Sequence, residues 1–496
     1  MRNTLYEISQ NSIRLAISQS EEEMAEIMVK SQQKNESEIK NKMGIMPVNK
    51  LLLSMSVPMM LSMLVQALYN VVDSIFVARI SENALTAVSL AFPVQSLMIA
   101  LGVGTGVGVN AVLSRALGEK DYDKVNKCAM NAIFLTALNV CVFLLVGLFL
   151  VKPFYYGQTS DAEIVEYGIQ YLSIVLIFSF GLYSQFIFER LLQSTGKTFF
   201  TMITQMTGAI INIILDPILI FGLCGMPKLG VAGAAIATVT GQIVAALLAI
   251  FINLKMNTEI KFSFENFHPS AGIIKEIYVV GVPSIIMQSI GSVMVYGMNQ
   301  ILIAFSSTAT AVFGVYFKLQ SFIFLPVFGL NNGMVPIIAF NYGAGKRERL
   351  LKTIKLSILY AVVIMSVGVL IFQVFPDKLF ALFDASEHMM GMGVPALRII
   401  SLHFVIAAFC IVCSSVFQAL GNAVYSMITS ICRQLLVLLP AAYLLSLLGN
   451  VNYVWWAFPI AELVSFVLSI LFLKHIIGDV SSAMVSAHCH EESPLP

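Results

Sequence analysis

Two aspartates stand in apolar sequence that offers them little water. Asp216 closes the run Asn212-Ile213-Ile214-Leu215-Asp216-Pro217, and Asp73 ends the run Tyr69-Asn70-Val71-Val72-Asp73. Asn212 and Asp216 are four residues apart, so on a helix both project from one face. A charged side chain at the centre of a membrane helix costs about 2.5–3.5 kcal/mol on insertion scales, so each needs a partner or a purpose. Pro217 donates no N–H to the turn before it and lets a helix bend there. Two acids, an amide and a bendable helix are the ingredients of a proton or cation site. The competing reading is structural: a buried hydrogen bond or a packing partner for each aspartate.

The second half of the chain offers Lys318, Arg398, Arg433 and Glu462 in apolar surroundings. Glu462 paired with one of these bases is a structural arrangement, and long basic side chains also snorkel toward water. Gln66, Gln288 and Asn299 are further polar candidates for a substrate cavity or a C-terminal polar site. No motif points to an enzyme. Gly196-Lys197-Thr198 resembles the end of a phosphate-binding loop, but Leu191 stands where that loop needs glycine. Cys410 and Cys413 sit in an apolar run and read as small apolar filler. His488-Cys489-His490 is too small a ligand set to define a metal site. The expectation is therefore no cofactor and no bound metal.

The elements that must position these residues are membrane helices. The chain has 496 residues, 58% of them hydrophobic and only 11% charged. An ordinary soluble domain is about 25% charged, and a mean hydropathy of +0.84 leaves lipid as the solvent over much of the surface. A net charge of +1 gives no reason to expect nucleic acid as a partner. Runs long enough to span a bilayer fall at 51–79, 88–114, 128–151, 164–188, 198–222, 231–254, 274–304, 311–341, 353–375, 394–418, 424–448 and 453–473. Residues 1–46 form a polar extension that includes Glu21-Glu22-Glu23, with an amphipathic stretch around 13–29. They lack the apolar core of a secretory signal, and Met43 and Met46 are alternative starts. Residues 476–496 read as a polar tail.

Arg115, Lys120, Lys124, Lys127, Arg190, Lys197, Lys255, Lys261, Lys275, Lys346, Arg347, Arg349, Lys352 and Lys355 are read onto even-numbered connections. The odd-numbered side carries Arg79, Lys152, Lys228 and Lys378. The positive-inside rule then places both termini in the cytoplasm of a multi-pass cell-membrane protein. Tyr155, Tyr156, Trp455 and Trp456 fall at outer helix ends, where interfacial aromatics belong.

The chain also repeats itself. At an offset of 225 residues, Val57-Pro58 matches Val282-Pro283, Gly108 and Gly118 match Gly333 and Gly343, and Gln193 and Gly196 match Gln418 and Gly421. Six spans per repeat is an even number, so the halves are parallel repeats about an axis along the membrane normal. A cavity between such halves suits alternating access. The 25 methionines and 34 phenylalanines supply soft surface able to accept varied apolar ligands.

Several segments then resemble the multidrug and toxic compound extrusion (MATE) family. They include Pro58, Tyr69 through Val77, Leu117-Gly118-Glu119-Lys120-Asp121, Gln193-Ser194-Thr195-Gly196 and Asn212 through Pro217. Gly233 through Thr238, Asn341 through Lys346 and Gln418-Ala419-Leu420-Gly421 continue the pattern. The likeness covers roughly residues 47–475 and is nearest the bacterial DNA-damage-inducible-like and Gram-positive multidrug branch. It implies an all-α bundle of twelve helices in two lobes, an N-lobe at 47–260 and a C-lobe at 261–475. It also implies export of amphipathic or cationic organic compounds in exchange for H⁺ or Na⁺, by a monomer in the lipid bilayer. The family's N-lobe cation site corresponds to Asp73, Asn212, Asp216 and Thr238. Some members place acids in spans 7 and 10; here span 7 has Gln288 and span 10 has none. The alternatives are a lipid-linked saccharide flippase, for which fourteen spans are expected, and a non-transporting membrane receptor or scaffold. The repeat argues against the last, because a scaffold has no need of two related halves.

Overall fold

The computed structural model describes residues 41–263, 267–383 and 385–491, with side chains given through residue 480 and at Ser482. Residues 1–45 and 46–496 are separate compact units. In the first, the short helix Lys42–Ile45 is described; the amphipathic stretch expected around 13–29 lies outside the described residues.

Every regular element of residues 46–496 among those described is helical. Ten helices are individually long and apolar enough to cross a bilayer: Val48–Ala78 (span 1), Glu82–Gly118 (2), Tyr122–Phe149 (3), Thr198–Phe221 (5), Gly230–Met256 (6), Ala271–Ile303 (7), Ser307–Gly343 (8), Arg347–Val374 (9), Ala423–Ser446 (11) and Val451–Val480 (12). Spans 4 and 10 are bent pairs, Ala162–Ile177 with Phe180–Ser194 at 43° and Glu387–Ser401 with Phe404–Ala419 at 51°. Apolar runs alone do not foretell these breaks. The helix of span 12 continues to Glu491 through the stretch read as a polar tail.

The 225-residue repeat is repeated in the helix ends. Spans 2 and 8 begin at Glu82 and Ser307 and end at Gly118 and Gly343, and spans 3 and 9 keep the same offset at both ends. Ser81 and Ser306 each cap the following helix, accepting a hydrogen bond from Ala84 N and Ala309 N at 3.0 Å. Such caps satisfy backbone N–H groups that a helix start leaves free. Short helices Val151–Gln158 and Pro376–Ala381 sit at matching places before the bent spans.

The halves meet through glycine. A Cβ on Gly104 would lie 2.9 Å from the Gly281 carbonyl oxygen, and one on Gly108 2.1 Å from that of Ile277. In the other half, a Cβ on Gly329 would lie 2.6 Å from Met60 N, and one on Gly333 2.7 Å from Ser56 N. Span 2 thus packs backbone to backbone on span 7, and span 8 on span 1, as small residues allow where apolar attraction between helices is weak. These contacts fall in the first parts of spans 1 and 7 and the last parts of spans 2 and 8, hence at one end of the bundle. Polar inter-lobe contacts lie at that end too. Ser56 Oγ donates to the Leu330 carbonyl at 3.1 Å, Lys124 pairs with Glu276 at 2.8 Å, and Arg115 lies over the Tyr342 ring at 4.8 Å.

The expected aromatic belt is corrected in part. Tyr156 and Trp456 are exposed, but Tyr155 and Trp455 are fully buried. Tyr155 donates from its hydroxyl to the Ala87 carbonyl at 2.8 Å, so it is a core residue holding span 2.

Candidate functional site

Spans 5 and 6 are drawn together by glycines. A Cβ on Gly241 would lie 2.6 Å from the Gly208 carbonyl oxygen, and one on Gly233 2.6 Å from that of Leu219. This close approach brings Asn212 and Asp216 on span 5 against Thr238 on span 6. The Asn212 amide is best satisfied with its nitrogen donating to Asp216 Oδ2 at 3.2 Å. Its oxygen then accepts from Thr238 Oγ1 at 3.2 Å and from Thr238 N at 3.1 Å. Asp216 is fully buried and Asn212 is 3% exposed.

Span 1 supplies Asp73, which lies near enough to Asp216 for the two carboxyl groups to feel each other's charge. Its Oδ1 is buried without a hydrogen-bond partner among the described residues. A buried carboxylate oxygen left unpaired is unfavourable and marks a place for a proton or another positive group. Tyr69, one turn before Asp73, is close to both acids.

A cavity of about 70 Å³ opens beside this group. Its wall includes Gln66 and Tyr69 of span 1, Gln185 of span 4, Gln205 and Asn212 of span 5, and Thr238 and Gln242 of span 6. Polar walls and this volume admit a few water molecules. Gln66 lines this cavity, whereas Gln288 is exposed on span 7 and Asn299 is half-buried there, neither of them lining it.

The C-lobe is chemically different. At the 225-residue offset, Asp73, Asn212 and Asp216 correspond to Met298, Val437 and Ala441, and Met298 is fully buried. Glu462, 3% exposed, instead meets Arg433 with Nη1 to Oε2 at 3.3 Å. Arg433 leaves span 11 within a π-helical segment, Cys432–Leu438. Lys318 is exposed.

The sequence reading stops span 4 at residue 188, just before Glu189 and Arg190. The helix runs on to Ser194 and carries Glu189 and Arg190 inward. Arg190 Nη1 donates to Gln193 at 2.8 Å and across the lobes to Asn332 at 3.2 Å. A signal for this was available: Gly196, with φ 86°, is the left-handed glycine that ends the helix.

The MatE family model matches this chain twice, at residues 58–218 and 283–444. The chain is 28% identical to the multidrug export protein MepA of Staphylococcus haemolyticus (strain JCSC1435) over 416 residues, covering 84% of this chain and 91% of that protein. It is likewise 28% identical to MepA of Staphylococcus aureus (strain MRSA252) over 427 residues, with the same coverage of 84% and 91%. Its fold is similar to a solved outward-facing conformation of a multidrug resistance MATE family transporter of the MOP superfamily. The TM-score is 0.85 at 27% identity, covering 90% of this chain and 99% of that one. A MOP superfamily transporter from Pyrococcus furiosus, described as having a binding pocket of reverse polarity, matches with TM-score 0.83 at 26% identity, covering 89% and 99%.

Proposed function

Because this chain belongs to the MatE family, we propose that it exports small organic compounds across the cell membrane in exchange for H⁺ or Na⁺, with the N-lobe as the coupling site. The observation that carries this reading is the buried group Asp216–Asn212–Thr238 facing an Asp73 whose Oδ1 is unpartnered. Asp73 and Asp216 carry the ion, Asn212 orients Asp216, and Thr238 orients Asn212. A proton binds a carboxylate oxygen directly. A Na⁺ uses the same carboxylates together with neutral oxygens, the set that hard cations prefer.

Occupation changes the charge between spans 1 and 5. It moves the lobes only by the difference in its affinity for the two arrangements. The lobes are closed at the Gly118 and Gly343 end, which the Lys and Arg distribution assigns to the cytoplasm. Both termini lie on that side in this reading. The amphipathic or cationic character of the substrate and the monomeric state belong to the same proposal, as do the lobe limits at 47–260 and 261–475. No resident cofactor is required. Export of a fluorescent cation from proteoliposomes under an imposed H⁺ gradient, an imposed Na⁺ gradient or neither tests it. Rates equal under all three conditions sink the antiport reading.

A further inference from the structure

Glu189 is the second buried acid system of the N-lobe, and the coupling site does not use it. It is 2% exposed, near the end of span 4. Its Oε1 accepts from Thr204 Oγ1 at 2.9 Å and from Gln185 Nε2 at 3.0 Å, and its Oε2 accepts from Gln205 Nε2 at 2.7 Å. All three donors are neutral.

The charged groups nearby are committed elsewhere. Arg190, on the same helix, bonds Gln193 and Asn332. Lys197, at the start of span 5, is ion-paired with Glu259. On span 5 the neighbours are Thr201, Thr204 and Gln205, and from span 6 Asn253 binds the Phe188 carbonyl. Holding a buried carboxylate ionised with neutral partners alone is unfavourable by several kcal/mol. A glutamine here offers one acceptor oxygen to these three donors and keeps the tie only if Gln205 turns its amide over.

The position of Glu189 relative to the cavity gives it a use. Gln185 and Gln205, which bind its carboxylate, both line the cavity beside Asn212 and Thr238. Gln205, Ala209, Asn212 and Asp216 recur at helical spacing on one face of span 5, and Gln205 to Asn212 is about 10 Å along the axis. Two of its lining residues thus each hold a buried acid behind them, Gln205 that of Glu189 and Asn212 that of Asp216. Gln205 Oε1 is buried without a partner among the described residues.

We propose that Glu189 is a second proton-binding site of the N-lobe, at the end of the cavity nearer the inter-lobe seal, exchanging protons with the Asp216 site through cavity water. The proposal rests on the antiport reading above. A proton suits this site better than a metal ion, because N–H and O–H groups already point at the carboxylate where a metal needs oxygen lone pairs. On protonation, a cavity hydronium gives its proton to a carboxylate oxygen and becomes water. The new O–H then donates to Gln205 Oε1 once that amide turns over. Release reverses both moves.

The test uses the full chain in proteoliposomes, with Glu189→Gln, Glu189→Asp and Asp216→Asn beside the wild type. Glu189→Gln is expected to keep gradient-free counterflow of a fluorescent cation and to lose H⁺-driven export. Glu189→Asp is expected to restore export with a shifted pH profile. If Glu189→Gln keeps wild-type H⁺-driven rates while Asp216→Asn loses them, the Glu189 site is refuted and the coupling reading stands. If wild-type export follows Na⁺ alone, the Glu189 site is refuted and the Na⁺ form of that reading stands. If Glu189→Gln loses counterflow as well, or fails to fold, Glu189→Asp decides: an unshifted pH profile overturns the proposal.

Discussion

Gly118 and Gly343, 225 residues apart, pack each against the other's helix end. A Cβ on Gly118 would lie 2.0 Å from the Phe340 carbonyl oxygen, and one on Gly343 2.1 Å from that of Arg115. Two homologous glycines thus meet on the axis relating the lobes and close one end of the bundle. Neither backbone can yield without moving a whole helix. Gly118→Ala should therefore destabilise this closed arrangement, by about 1–3 kcal/mol as for other overpacked sites. The check is thiol labelling at Ser56→Cys, which lies in the same seal, on a background lacking Cys141 and Cys224. Labelling should speed up in Gly118→Ala; an unchanged rate and melting temperature would refute the role.

The side of the membrane is tested separately. On a background lacking the native cysteines, a cysteine at position 120 should resist an impermeant reagent applied outside intact cells, and one at position 157 should react. Gly157 tolerates the change, because a Cβ there meets nothing within 4 Å. The reverse labelling pattern inverts the orientation.

The source of energy has its own prediction. No phosphate-binding loop is present in the sequence, so export should draw on ion gradients and not on ATP directly. Dye efflux from cells should stop when a protonophore and a sodium ionophore are applied together. Efflux persisting with ATP present and both gradients collapsed would falsify antiport.

The C-lobe pair predicts stability rather than coupling. Arg433→Ala leaves the buried Glu462 without its cation, a loss that for buried pairs costs about 3–5 kcal/mol. Glu462→Gln removes the charge that needs pairing and should be milder. Thermal unfolding in detergent should rank wild type first, Glu462→Gln next and Arg433→Ala last. The opposite order of the two variants removes the structural assignment of Glu462.

Much of this architecture was legible because Pro, Gly and Gln recur in one register while apolar residues repeat by chance. Asn212 and Asp216 were legible as a pair because helical spacing alone puts them on one face. Glu189 was hidden for the opposite reason. The apolar run was read as ending one residue before Glu189, and Glu189 is shielded by Thr204 and Gln205 from another helix, which spacing cannot reveal. Tyr155 and Trp455 were misread similarly: a helix end marks an aromatic as interfacial only if nothing packs over it, and the neighbouring helices do. The glycines were visible as repeated letters, but that Gly118 faces Gly343 rather than its own lobe is a property of the assembled fold.

The strongest prediction concerns Asp73 and Asp216. Replacing either with asparagine keeps the size of the side chain and removes its charge. Asp216→Asn still offers an oxygen to the Asn212 amide, which donates to Asp216 Oδ2 at 3.2 Å, so spans 5 and 6 should stay together. Asp73→Asn loses no hydrogen bond from Oδ1, because that atom has no partner among the described residues. Both variants should therefore insert and fold, with melting temperatures near that of the wild type. Both should also lose gradient-driven export, because one of the two carboxylates that together bind the coupling ion in this reading is then missing. Counterflow, which needs the lobes to move but not the ion, should survive. Comparing counterflow with gradient-driven uptake in the same liposomes separates loss of coupling from loss of movement. If Asp73→Asn and Asp216→Asn both keep wild-type gradient-driven rates at normal expression, the N-lobe is not the coupling site, and Glu462 becomes the next residue to test.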